Sequence, residues 1–167
     1  FRRVLFRSLL QMGILRQKRD WQSADGQALA TSDEWWQSFF NGLPYTLTGA
    51  QQRALADIRA DMARPVPMNR LLQGDVGSGK TAVALNAMLI AVESGAQAAL
   101  LAPTEILARQ HAETLTRMVA GTGVNIQLLT GRDKGRARES ILMGLMDGSI
   151  QICVGTHAIF QDSVSYR

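Results

Sequence analysis

A chain of 167 residues, 46% hydrophobic and 19% charged, can bury one sizeable core and has the composition of an ordinary α/β domain, with no low-complexity segment and no disulfide framework. Its one cysteine, Cys153, has no partner within the chain, and with no secretory signal visible the expected setting is reducing and cytoplasmic. The longest apolar run, Ala82 to Val92, falls short of the roughly 18 to 20 residues that cross a membrane and contains Asn86, so it reads as a buried helix and no membrane partner is expected.

The formal charge of +4 would suggest an anionic partner. It is discounted here because residues 1–8, FRRVLFRS, resemble the in-frame translation of a common sequencing adapter and are expected to be a scar outside the fold. Without its three arginines the chain carries 15 basic against 14 acidic residues, and bulk charge then says almost nothing about nucleic acid. Leu9 to Arg19 places its apolar residues broadly on one side of a short predicted helix with a basic end. After a loop, Thr31 and Glu34 match a T-x-x-E capping box ahead of a helix in which Trp35 and Phe39, and Trp36 and Phe40, stand four apart as a packing face, with Gly42 as its stop. Thr48 starts a further helix that ends before Pro65.

From there the rhythm changes. Strands are predicted at Arg70 to Gln73, Ala98 to Ala102, Asn125 to Leu129 and Ile150 to Val154, and helices at Lys80 to Ser94, Glu105 to Ala120 and Lys134 to Asp147. Uniformly apolar strands separated by crossover-length helices imply a parallel sheet covered on both faces, and Gly95, Gly121 and Gly148 mark the helix exits.

The run Gly74, Asp75, Val76, Gly77, Ser78, Gly79, Lys80 and Thr81 satisfies G-x-x-x-x-G-K-[ST] between a predicted strand and a predicted helix. Glycines let successive N–H groups face one anion, and the helix N-terminus adds its dipole. Lys80 is expected to reach the outer phosphates of a nucleoside triphosphate and Thr81 to ligate Mg²⁺ through its hydroxyl, which makes ATP and Mg²⁺ the expected cofactors.

A phosphate loop serves many chemistries, so the residues around it must discriminate. Gln51, 23 positions before Gly74, could read adenine bidentately, or could close a T-x-x-Q capping box with Thr48. Pro103, Thr104 and Glu105 follow a strand and open a helix, an arrangement suited to a nucleic-acid phosphate, and Gly155, Thr156 and His157 repeat it after a later strand. His111 and His157 lack companions for a metal site.

The segments YTLTGAQQRALADI, MNRLLQGDVGSGKT, LLAPTEILARQH, LLTGRDKGRARES and VGTHAIFQDSV, in this order and spacing, resemble the RecG family of superfamily 2 helicases over Leu43 to Tyr166. The resemblance implies a RecA-like motor domain from residue 43 to 167, preceded by a helical linker at residues 9–42 that joins a wedge domain to the motor. It implies ATP-driven remodelling of stalled forks and Holliday junctions by a monomer, with branched DNA as the partner. It assigns adenine sensing to Gln51, and DNA tracking to Pro103, Thr104, Glu105, Thr130, Gly131, Gly155, Thr156 and His157. The family's D-E-x-H motif, second motor domain and wedge are not found before Arg167, so these residues alone are expected to be inactive and of marginal stability. Two alternatives stand beside this expectation. The transcription-repair coupling translocase shares GDVG-GKT and GTH but tends to have tyrosine where Ser78 stands, and a non-motor P-loop nucleotide-binding module would leave the two threonine-bearing strand ends without a role.

Overall fold

The computed structural model describes residues 12, 13, 15, 16, 19, 24–42, 46–161 and 164–167, with the Phe40 side chain excepted. The adapter-like octapeptide and the proposed boundary at residue 43 therefore lie outside the described residues. Within the predicted N-terminal helix, Met12, Gly13, Leu15, Arg16 and Arg19 are helical and exposed, and the other positions lie outside the description.

The elements in chain order are α1 (Asp33–Gly42), α2 (Gly49–Met62), α3 (Lys80–Glu93), β1 (Ala98–Leu101), α4 (Glu105–Met118), β2 (Ile126–Leu129), α5 (Gly135–Met146) and β3 (Ile152–Gly155), followed by a 3-10 turn at His157–Phe160. The strands form one parallel sheet in the order β1-β3-β2, with Leu101, Gly155 and Leu129 in register at its carboxyl edge. The chain must cross over between parallel strands, and α4 and α5 make the crossings. One face of the sheet packs Ile126, Ile152 and Val154 against Leu85 and Leu89 of α3 and Ala108, Ala112 and Leu115 of α4. The opposite face packs Leu129 and Cys153 against Leu145 of α5 and Ile159. Period-2 alternation along β3 sends Ile152 and Val154 one way and Cys153 the other, which is why all three are apolar and fully buried. The expected α/β fold with helices on both faces is thus present. Gly95, Gly121 and Gly148 take φ of +81°, +86° and +80° at the helix exits, where a β-carbon would be strained.

Two local expectations are corrected. Arg70 to Gln73 is not a strand. Arg70 donates to Asp57 and Asp61 of α2, and Leu72 packs with Leu55, Ile58 and Val83, so the segment lies along a helix and makes no backbone ladder with the sheet. The cap of α1 is Ser32, one residue after the expected Thr31: Ser32 Oγ accepts from Trp35 N at 3.1 Å. Thr31 is occupied by Arg59, whose Nε donates to Thr31 Oγ1 at 3.2 Å and whose Nη2 donates to Thr31 O at 2.6 Å. The aromatic face forms in part. Trp35 and Phe39 stack at 4.8 Å between ring centroids, while Trp36 lies under the Arg59 guanidinium at 4.9 Å.

Candidate nucleotide and nucleic-acid site

The loop from Gly74 to Thr81 curls into the N-terminus of α3. Gly77 and Gly79 have φ of +81° and +79°, a region that costs other residues about 1–2 kcal/mol. A β-carbon at Gly74 would stand 2.7 Å from Ser78 Oγ, and one at Gly79 would overlap Gln51 Nε2. Gly79 is therefore required by backbone geometry, while at Gly74 the contact is with a serine hydroxyl that can turn away. The N–H groups of Gly77, Gly79, Lys80 and Thr81 have no acceptor among the described residues, leaving a cluster of donors at a helix start. Lys80 folds over the loop, its Nζ donating to Gly74 O at 2.7 Å and Asp75 O at 2.6 Å. Asp75, Val76 and Ser78 complete the loop on its exposed side.

Gln51 reaches this loop from α2, and its two ends do different work. Oε1 accepts from Thr48 N at 2.8 Å while Thr48 Oγ1 accepts from Gln51 N at 3.3 Å, so the capping box is complete. Nε2 donates to Ser78 O at 2.9 Å. The cap and the phosphate loop are joined through one amide side chain.

The parallel register brings the other sequence-derived residues together. Pro103, Thr104 and Glu105 follow β1, Thr130 and Gly131 follow β2, and Gly155 ends β3 with Thr156 and His157 after it, so all eight lie along one edge of the sheet. The four-residue link from α3 to β1 turns the helix back along the strand, which directs the phosphate loop toward the same edge. The side chains are not equally available. Thr104 is exposed and caps α4, its Oγ1 accepting from Leu107 N at 3.3 Å. Thr130 is buried, and both its N and its Oγ1 donate to Asp133 Oδ2, at 2.7 and 3.0 Å. Thr156 is also buried, while Gly131 and His157 face outward. At Gly155 any β-carbon would overlap the Leu129 carbonyl oxygen and crowd Ile159. Sequence reasoning passed over Asp133, which organises the turn after β2, and Arg132, which pairs with Glu105. The T-x-x-D spacing was the available signal for Asp133.

The chain belongs to the DEAD/DEAH box helicase family, whose model matches residues 48–167. Within that class its similarity to one protein extends over sequence and structure alike. It is 48% identical over 150 residues to the ATP-dependent DNA helicase RecG of Bacillus subtilis (strain 168), covering 90% of this chain and 22% of the relative. The ATP-dependent DNA helicase RecG of Escherichia coli (strain K12) is 43% identical over 168 residues, covering 99% of this chain and 24% of that protein. A solved structure of RecG bound to a three-way DNA junction superposes with a TM-score of 0.86 at 39% identity, over 95% of this chain and 22% of that one. The chain thus spans about a quarter or less of the length of these relatives. No helix among the described residues is long and apolar enough to cross a membrane.

Proposed function

We propose that this chain is the ATP-binding and DNA-tracking part of an ATP-dependent DNA helicase that remodels branched DNA, stalled forks and Holliday junctions among it. The observation that carries the reading is the phosphate loop at the start of α3, with four N–H groups that have no acceptor among the described residues, a lysine within its span and Gln51 bonded to its backbone. The RecG structure bound to a three-way junction, and the RecG relatives, support the choice of branched DNA. Residue 43 is proposed as the start of the motor domain, and residues 9–42 as its linker.

In this reading the N–H groups of Gly77, Gly79, Lys80 and Thr81 receive phosphate oxygens. Lys80 exchanges the Gly74 and Asp75 carbonyls for the outer phosphates, and Gln51 exchanges Thr48 N and Ser78 O for the adenine edge. Such fixed donors act on the transferring phosphoryl group without reorganising as charge develops. The donor set also fits Mg²⁺ held with the nucleotide, since Thr81 follows Lys80 with a hydroxyl that has no hydrogen-bond partner among the described residues; bound there, the ion would neutralise phosphate charge. Pro103, Thr104, Glu105, Thr130, Gly131, Gly155, Thr156 and His157 form the DNA-facing edge. A cytoplasmic monomer is the proposed form.

The test is calorimetric titration of the purified chain with MgATP and with MgGTP. ATP should bind more tightly than GTP, and Lys80→Ala should weaken ATP by roughly 1.5–3 kcal/mol, the range for a hydrogen bond to a charged group. A Lys80→Ala variant that binds ATP as the parent does overturns the assignment.

A further inference from the structure

At the carboxyl edge of the sheet β1 and β2 are the outer strands with β3 between them, so their ends stand about 10 Å apart. One ion pair spans that gap. Arg132, in the turn after β2, places Nε 2.7 Å from Oε2 of Glu105, the first residue of α4 after β1. Both partners are held from behind. Arg132 N donates to Thr130 Oγ1 at 3.3 Å within the turn that Asp133 closes. Glu105 sits in the first turn of α4, where the helix dipole favours a carboxylate.

The Arg132 side chain is nonetheless 83% exposed, and its two terminal nitrogens have no other partner among the described residues. An exposed ion pair of this kind contributes little to stability, so the fold does not depend on it. A guanidinium engaged through Nε still presents an outward fork of N–H donors that matches two phosphate oxygens. A carboxylate along an edge that faces a polyanion would repel it, and Glu105 needs another explanation than phosphate contact.

We infer that Arg132 binds a phosphate of the DNA backbone, and that Glu105 is a positioning residue that holds the guanidinium across the end of β3. The inference rests on the reading of this edge as the DNA track and adds to it a residue outside the motif residues assigned there.

Fluorescence anisotropy of the purified chain with a labelled single strand and its duplex, over graded NaCl, tests both roles. Arg132→Ala should lower affinity on the order of five- to tenfold near 50 mM salt and reduce the slope of log K against log salt by about 0.7 on the single strand and 0.9 on the duplex. Arg132→Lys, which keeps the charge and loses the fork, should fall between. Glu105→Ala should weaken binding although it removes a negative charge, and in the Arg132→Ala background it should instead tighten binding or leave it unchanged. That reversal of sign is what a purely structural or purely electrostatic Glu105 would not produce. A parent chain that binds neither DNA overturns the DNA reading itself. A parent that binds, with an unchanged salt slope in Arg132→Ala, overturns only the contact, and tighter binding by Glu105→Ala in the parent background overturns the positioning role.

Discussion

Gln51 completes the cap that its spacing from Thr48 announces and uses the other end of its amide on the phosphate loop, so both ends are engaged within the protein. Its amide oxygen closes the Thr48 cap and its amide nitrogen holds Ser78 of the phosphate loop. The two atoms can be separated by substitution. Gln51→Glu keeps an acceptor at the helix start, where a carboxylate is favoured, but sets it against the Ser78 carbonyl. It should retain the parent's unfolding temperature and lose nucleotide affinity. Gln51→Ala removes both contacts and should cost about 1 kcal/mol of stability as well. Thermal unfolding beside nucleotide titration distinguishes them, and equal stability losses in the two variants would contradict the division of labour. The spacing T-x-x-Q made the cap legible in the sequence. The contact with Ser78 joins residues 27 apart, and no local pattern announces it.

Among the elements, the helices and the three paired strands were legible because their signals are local. Helical periodicity, a threonine at the start of α4 and glycines at positive φ after α3, α4 and α5 each act within a few residues. The Arg70 to Gln73 strand failed for the converse reason. A strand exists only with a ladder partner, and Arg70's attachment to two aspartates of α2 decides where the segment lies. The cap of α1 failed by one residue because Thr31 and Ser32 are chemically similar, and Arg59, far along the chain, engages the first. Ser32→Ala should therefore destabilise by about 1 kcal/mol, while Glu34→Ala should leave stability within about 0.5 kcal/mol; chemical denaturation measures both. A larger loss at Glu34 would restore the Thr31 box.

At the scale of the whole molecule, Cys153 reports on the integrity of the sheet. It lies at the centre of β3, fully buried, and burial pushes its thiol from 9.0 to about 11. Tyr166, whose hydroxyl donates to Ile159 O at 3.1 Å, is likewise raised by burial, from 10.0 to about 12. A group that binds its proton more tightly when folded stabilises the fold fully below its unfolded pKa. That contribution is lost as pH rises between about 9 and 11 for Cys153; Tyr166 is 36% exposed, so solvent screens its smaller share, which falls away between about 10 and 12. Alkylation of the one cysteine at neutral pH should accordingly be slow in the native protein and accelerate with denaturant in parallel with global unfolding. Rapid labelling without denaturant would show that the central strand opens on its own. Stability should fall as pH passes above 9, measured by urea titration at graded pH.

Gly155 carries a mechanical consequence. With no space for a side chain between β3, the Leu129 carbonyl and Ile159, the ends of neighbouring strands are pressed together without slack. A surface that grips a polymer while a second body pulls on it loses displacement to any compliance of its own. For a motor of the kind proposed here, close contact at this one residue would tie the ends of β2 and β3 together, so those two strand ends would shift along DNA as a unit and the yielding would fall elsewhere. Gly155→Ala, by prising those ends apart, would turn part of each stroke into internal deformation.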